Sequence, residues 1–210
     1  MNQLERQIAE KLLQIKAIKL QPANHFTWAS GWFSPIYCDN RKTLSFPEFR
    51  TFIKEAFVKI IKEKFEDFDV IAGVATGAIA QGVLVADAMN KPFVYVRPQA
   101  KEHGMGNKIE GHLDQNKKVL IIEDLISTGG SSLSAVKAIR EANCEVVGMA
   151  AIFTYNFQKA IDNFANENVK LITLSNYDIL IETAIRMGYV SNTDLNLLKE
   201  WRLDPANWKK

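Results

Sequence analysis

The feature that most constrains the fold is a series of short apolar runs that alternate with helical patterns in the middle of the chain. The runs at 69–75, 92–97, 118–124 and 145–153 predict buried strands, and the stretches at 77–89 and 131–142 predict helices. Strands that are separated by helices favour a parallel, doubly wound sheet with helices on both faces. The pattern therefore predicts an α/β protein.

The two ends of the chain carry different patterns. Leu4, Ile8, Leu12 and Ile15 recur at helical spacing, which predicts an amphipathic N-terminal helix. The stretch 21–49 contains three prolines and reads as irregular structure, after which an apolar stripe predicts a long helix. The last sixty residues are mixed, with one predicted strand at 169–175. Because no linker interrupts the chain, we expect one domain, 1–210, with a small N-terminal subdomain.

Composition excludes several classes of protein. Of the 210 residues, 47% are hydrophobic and 24% are charged, and the net charge is +2, too small to indicate bulk binding to nucleic acid or membrane. No stretch approaches the roughly 18 apolar residues of a membrane span. Cys38 and Cys144 form no CxxC pair, which favours reduced thiols. We expect a soluble, cytoplasmic protein.

Two adjacent acids followed by a tract of small residues mark a candidate site. Glu123 and Asp124 end the third apolar run, and the tract 127–131 leads into a predicted helix. A turn of small residues exposes backbone N–H groups beside the positive end of a helix dipole, which suits a phosphate. The acids can accept hydrogen bonds from hydroxyls, so together these groups favour a ribose 5-phosphate. The alternative is a tight turn whose acids cap the helix.

The motif "VLIIEDLISTGGSS" (119–132) resembles the ribose-phosphate-diphosphate motif of type I phosphoribosyltransferases. The stretch 26–42 resembles the N-terminal segment of the orotate phosphoribosyltransferases, and 97–111 resembles their mobile catalytic loop; with 72–82 they occur in the family's order. The resemblance implies the type I phosphoribosyltransferase fold, with 20–46 contributing to a substrate-binding hood. It also implies that an enzyme of pyrimidine biosynthesis transfers 5-phosphoribosyl from its 1-diphosphate to orotate, giving orotidine 5′-monophosphate and diphosphate.

The resemblance assigns a role to each matching residue. The residues implied to bind phosphoribosyl diphosphate are Arg97, Lys101, His103, Glu123, Asp124, Leu125, Ile126, Ser127, Thr128, Gly129, Gly130 and Ser131. Asp124 is implied to stabilise the cationic sugar, and Lys101, assisted by His103, the departing diphosphate. These assignments imply a homodimer in which the loop 97–111 reaches the neighbouring site. Taken alone, that loop also reads as a solvated basic loop.

For orotate, the resemblance implies contacts with Ser127, and Tyr37 is a candidate for stacking on the ring. Magnesium is expected to be carried mainly by the substrate diphosphate and ribose hydroxyls, without a protein cage of its own. His103, Glu110 and His112 match no zinc spacing, so we predict no protein metal site.

The sequence departs from the family at positions where some members carry a cation. These positions hold Ala29, Gly77, Pro98 and the pair Thr154 and Tyr155. The absence of these cations is typical either of a family branch that binds its substrates through backbone N–H groups or of an enzyme with weak or altered activity. Two further functions stay open: a phosphoribosyltransferase for another base, and a regulator that senses phosphoribosyl diphosphate. The regulator would need a DNA-binding domain or basic face, and the sequence indicates neither.

Overall fold

The computed structural model describes residues 3–28, 30–98 and 108–209. In chain order the elements are α1 (Gln3–Gln14), β1 (Ile18–Leu20), β2 (Phe26–Thr27), β3 (Phe33–Ser34), β4 (Ile36–Cys38), α2 (Pro47–Lys64), β5 (Val70–Val74), α3 (Ile79–Met89), β6 (Phe93–Val96), β7 (Ile109–Glu110), β8 (Lys118–Ile126), α4 (Gly130–Glu141), β9 (Glu145–Thr154), α5 (Gln158–Asn166), β10 (Leu171–Asn176), α6 (Tyr177–Arg186) and α7 (Leu195–Leu203). Short 3-10 helices cover Asn40–Ser45 and Asn192–Asp194.

A six-stranded sheet organises the described chain, in the order β10-β9-β8-β5-β6-β7. Neighbouring strands from β10 to β6 are parallel, and β7 pairs antiparallel with β6 at the edge. The predicted α/β fold with a mostly parallel sheet is therefore confirmed. The sequence pattern did not predict β7, because two residues carry no recognisable periodicity and their pairing depends on a partner strand.

Helices cover both faces of the sheet and enclose a core on each side. Along β8, Leu120 and Ile122 belong to the core under α1, α2, α3, α6 and α7. Val119 and Ile121 face the other core, under α4 and α5. Side chains alternate between the faces of a strand, so β8 is apolar on both faces from Val119 to Ile122, and these residues are buried. This burial explains why its sequence is a continuous apolar run.

The strand β8 is longer than predicted, and its length shapes the site. We predicted an end at Asp124, and this boundary is wrong: β8 continues to Ile126 because Leu125 and Ile126 still pair with β9. On its other side β8 pairs with β5 only as far as Ile122. Glu123 and Asp124 therefore lie beyond the end of β5, where the sheet leaves open space.

Segment 20–46 lies over the carboxyl ends of the strands and is built from short pairings. β1 pairs antiparallel with β4, and β2 with β3. The C-terminal helix α7 supports this segment, because Trp201 is fully buried and its indole Nε1 donates a hydrogen bond to the Phe33 carbonyl (3.2 Å). Among the described residues, no helix has the length and apolar character needed to cross a bilayer.

Candidate active site

A cavity of about 590 Å³ opens where β5 and β8 end, and we call it the main cavity. Its walls come from residues within three stretches, 38–41, 74–77 and 123–132, and from Pro98. In open α/β sheets ligands bind at the carboxyl ends of the strands, because loops diverge there. The structure therefore brings the predicted acids and the predicted small-residue turn into one concave site.

Glu123 and Asp124 lie in the main cavity with different environments. Glu123 is 4% exposed; its Oε2 accepts from Ser132 Oγ (2.8 Å) and its Oε1 accepts from the Asp124 amide (2.9 Å). Burial, and then the negative charge of Asp124, raises the pKa of Glu123 well above its ordinary value. Glu123 is thus held rigidly at the cavity floor, and Asp124 is the more exposed carboxylate of the two.

The turn 127–131 forms part of the wall of the main cavity, next to the acids. Gly129 has a φ of +84°, and an added Cβ there would lie 2.9 Å from the Phe164 ring, so a glycine is required. Gly129 is also the N-cap of α4, and no side-chain cap occupies that helix end. The first N–H groups of α4 are therefore available for an anion, and neither acid acts as the cap considered above.

Arg97 lies at the end of β6, beside a second cavity of about 550 Å³, which we call the edge cavity. Its guanidinium Nη1 lies 3.4 Å from Glu110 Oε1 on β7. The edge and main cavities share Ala75, Thr76 and Pro98, so they are adjacent. The other two predicted members of this group, Lys101 and His103, lie outside the described residues.

A third cavity of about 220 Å³ joins segment 20–46 to the end of the sheet, and we call it the aromatic cavity. Its lining residues are Thr27, Trp28, Tyr37, Cys38, Leu125, Ser127 and Tyr155. The structure therefore brings together Tyr37 and Ser127, the two residues predicted to contact orotate. Three of the residues, Cys38, Leu125 and Ser127, also line the main cavity, so the two spaces are adjacent.

Two aromatic residues of this cavity were missed by the sequence analysis. The rings of Trp28 and Tyr155 lie 5.3 Å apart, and Trp28 Nε1 donates to the Ile36 carbonyl (3.0 Å). Tyr155 also stacks on Phe157 with centroids 5.3 Å apart. Burial raises the pKa of the Tyr155 phenol well above its ordinary value, so it stays neutral. The only available signal was the density of aromatic residues in 26–33.

Asn40 is a further residue that the sequence did not single out. It is 2% exposed, and its Nδ2 donates to the Asp124 carbonyl (2.6 Å), 84 residues away in the chain. Its own carbonyl accepts from Thr43 Oγ1 (2.7 Å), and its Oδ1 accepts from the Cys38 thiol (3.4 Å). Asn40 therefore fastens segment 20–46 to the end of β8, next to the acids.

The positions at which some family members carry a cation have different surroundings in this structure. A Cβ added at Gly77 would lie 2.3 Å from Asp124 Oδ2, so any side chain there would displace the Asp124 carboxylate. Pro98 lines the main and edge cavities. Thr154 is buried and its Oγ1 accepts from the Asn156 amide (3.0 Å), beside the stacked ring of Tyr155. Ala29 lies outside the described residues.

The parallel sheet, its acids and the glycine turn at a helix start form the arrangement that the resemblance to phosphoribosyltransferases predicts. The family model described as phosphoribosyl transferase domain matches residues 44–183, so the chain belongs to that family. The orotate phosphoribosyltransferase of Bacteroides thetaiotaomicron is 60% identical over 208 residues, which cover 99% of this chain and 98% of that protein. That of Bacteroides fragilis is 59% identical over 209 residues, or 100% and 99%. Within the family the chain belongs with the orotate phosphoribosyltransferases.

Solved structures show the same fold. The crystal structure of orotate phosphoribosyltransferase from Aeropyrum pernix superposes with a TM-score of 0.75 at 22% identity, covering 88% of this chain and 99% of that chain. At this identity the likeness bears on the fold alone. It agrees with the predicted type I phosphoribosyltransferase architecture.

Proposed function

We propose that the chain transfers the 5-phosphoribosyl group of 5-phosphoribosyl 1-diphosphate to orotate, with orotidine 5′-monophosphate and diphosphate as products. The observation that carries this proposal is the main cavity. It joins two carboxylates to an uncapped helix start, and it adjoins an aromatic cavity of a size suited to one planar ring. This arrangement supports a sugar phosphate and a base bound side by side.

The turn 127–131 would bind the 5-phosphate. The hydrogen-bond donors are the backbone N–H groups at the start of α4 and the hydroxyls of Ser127, Thr128 and Ser131. No residue of the turn carries a positive charge. Asn163 Nδ2 donates to the Thr128 carbonyl (3.0 Å), which fixes the turn from outside. The donors are therefore set in place before the ligand arrives.

The acids would hold the ribose and support the reaction. Asp124 and Glu123 accept hydrogen bonds from ribose hydroxyls in this proposal, which places the anomeric carbon above Asp124. As the bond to diphosphate breaks, positive charge develops on the sugar, and a fixed carboxylate stabilises that charge. The hydrogen bonds to Glu123 keep the pair in one geometry, so little reorganisation is needed.

The base would occupy the aromatic cavity. Tyr37 is 40% exposed and can cover one face of a pyrimidine ring, while Trp28 and Tyr155 form the deeper walls. Ser127 lies where the aromatic and main cavities meet, so its groups can contact the base next to the anomeric carbon. These walls also exclude water from the bond that forms.

The departing diphosphate needs positive charge. Arg97 lies at the edge of the sheet beside the shared residues of the edge and main cavities. We propose that Arg97, with Lys101 and His103 from the adjoining loop, stabilises the diphosphate. We further propose a homodimer in which the loop 97–111 serves the neighbouring site, because this loop leaves the sheet between β6 and the edge strand β7.

Magnesium fits the donors of the main cavity. The carboxylate of Asp124 and the oxygens of the substrate are hard ligands of the kind that this ion prefers. Among the described residues no cluster of three or more His, Cys, Asp or Glu side chains could hold a metal ion, so the diphosphate would carry most of its coordination. When bound, the ion would neutralise charge on the diphosphate.

The remaining parts of the proposal concern the whole chain. We propose a single domain in which segment 20–46 forms the hood over the substrates. We also propose a cytoplasmic location, which the free thiols Cys38 and Cys144 support. A place in pyrimidine nucleotide synthesis follows from the proposed reaction of orotate.

A spectrophotometric assay of orotate consumption, with phosphoribosyl diphosphate and magnesium, tests this function. We expect orotate to be consumed, and expect no comparable turnover of adenine, guanine or uracil. Turnover of a purine alone would overturn the assignment of the base. Absence of any turnover, together with tight, salt-sensitive binding to operator-like DNA in a gel shift, would favour a regulator.

A further inference from the structure

The charge on the walls of the main cavity is unbalanced. Among the described residues that line it, three carry acids, Asp39, Glu123 and Asp124, and a single one carries a permanent positive charge, Arg41. The substrate that this cavity is proposed to bind carries a phosphate and a diphosphate, so its own charge is strongly negative. Acids repel such a ligand, and an arginine at the wall attracts it.

Asp39 orients the Arg41 side chain but engages only one of its three guanidinium nitrogens. Its Nε donates to Asp39 Oδ1 (2.7 Å), and 59% of its side chain is exposed. This hydrogen bond, which holds the pKa of Asp39 below its ordinary value, fixes the plane of the guanidinium. The terminal nitrogens of Arg41 donate to no atom of the described residues, so they remain available for a second anion.

The position of Arg41 indicates which anionic group of the substrates it binds. Arg41 lines the main cavity and does not line the aromatic cavity, where the base is proposed to bind. The 5-phosphate already has the uncapped start of α4. Gly77 also lines the main cavity and carries no side chain, so it supplies no cation to the remaining anionic group, the diphosphate.

We infer that Arg41 is a substrate-binding residue for this reaction, and that it binds the diphosphate of phosphoribosyl diphosphate from the side of segment 20–46. The inference rests on the proposed function and extends it by one residue. A planar guanidinium suits this task, because it donates two parallel hydrogen bonds to phosphate oxygens. Asp39 acts as the positioning residue that holds it.

The test measures binding of magnesium phosphoribosyl diphosphate by calorimetry, without orotate, and the KM values of both substrates. We expect Arg41→Gln to raise the dissociation constant and the KM for phosphoribosyl diphosphate about tenfold, as expected when a charge-assisted hydrogen bond is lost. The KM for orotate should change less than about twofold, and Arg41→Lys should be intermediate because it keeps the charge but not the fork.

Lys42→Gln provides a matched control. It removes one positive charge from the adjacent residue, whose Nζ donates to the Lys16 carbonyl (3.3 Å), and it should leave both constants unchanged. Equal binding by the wild type and Arg41→Gln would overturn the inference while leaving the proposed function intact, and so would a rise confined to the KM for orotate. A wild type that binds no phosphoribosyl diphosphate would overturn both.

Discussion

At the scale of single residues, the site depends on how closely Gly77 and Asp124 approach. The glycine lies directly against the carboxylate, so the loop after β5 contacts the acid. By resemblance to the family, Gly77 stands where some members carry a cation. The structure gives a steric reason for the glycine that no sequence pattern contains.

Gly77→Ala tests this contact. The new Cβ would lie 2.3 to 2.7 Å from three atoms of the Asp124 carboxylate, so the acid must move. We expect kcat/KM to fall by about a hundredfold, since a displacement of about 1 Å near the reacting atoms can cost that much. Val83→Ala, at an exposed site on α3, is the control and should retain full activity. Wild-type kinetics for Gly77→Ala would show that Asp124 tolerates displacement.

Glu123 makes a prediction about pH. Folding raises its pKa above the ordinary value of 4.5, so its contribution to stability is present below that pH and is lost as the pH rises through the folded pKa. Glu123→Gln removes this titration. We expect its Tm relative to the wild type to be about 3 °C higher at about pH 8 than at about pH 5, measured by thermal unfolding.

The control for this experiment is Glu182→Gln, which removes an exposed acid from α6 and should shift Tm equally at both values of pH. A difference for Glu123→Gln that is absent, or larger at the lower pH, would contradict the raised pKa. The same variant should weaken binding of phosphoribosyl diphosphate, a trade of function for stability.

At the scale of elements, the sequence predicted the buried strands well, because a strand that is buried on both faces needs a continuous apolar run. The runs that became β5, β6, β8 and β9 are apolar because helices cover both faces of the sheet. The acids and the turn at 123–131 were predictable because they adjoin in the chain. The last residues of β8 were not predictable, because pairing with β9 continues past the two acids that end the apolar run.

Asn40 links two elements and carries the prediction at this scale. Asn40→Ala would leave the buried carbonyl of Asp124 without its donor, which costs about 1 to 3 kcal/mol in the free energy of unfolding. We expect urea unfolding to show this loss, and expect kcat/KM of the folded fraction to fall about tenfold because the end of β8 is no longer fixed.

Asn207→Ala serves as the control for Asn40, since its side chain makes hydrogen bonds only with exposed Asp204 among the described residues. Its unfolding free energy should change by less than about 0.5 kcal/mol. A stability loss for Asn40→Ala with unaltered kcat/KM would reduce Asn40 to a structural role.

At the scale of the whole molecule, the aromatic cavity depends on three distant parts of the chain. Trp28 comes from segment 20–46, Tyr155 follows β9, and Trp201 on α7 packs against both, with ring centroids 5.7 Å away in each case. The hydrogen bond from Trp201 to Phe33 spans 168 residues. Single-sequence patterns are local, so they do not predict such an assembly.

Trp201→Ala tests whether α7 supports the cavity for the base. Truncation of a fully buried tryptophan costs about 3 to 5 kcal/mol in the free energy of unfolding. In the folded fraction we expect the KM for orotate to rise more than the KM for phosphoribosyl diphosphate, because the aromatic cavity loses its support and the turn 127–131 does not. Leu203→Ala, on the same helix and 80% exposed, should change neither. Equal rises in both KM values would contradict this division.

The proposed function depends on where the sugar phosphate binds, and a crystal structure with phosphoribosyl diphosphate and magnesium measures this directly. We predict that the 5-phosphate lies at the turn 127–131, within hydrogen-bond distance of the first N–H groups of α4, with the ribose hydroxyls facing Glu123 and Asp124. Electron density for the compound at another site, with this cavity holding only water, would contradict the account.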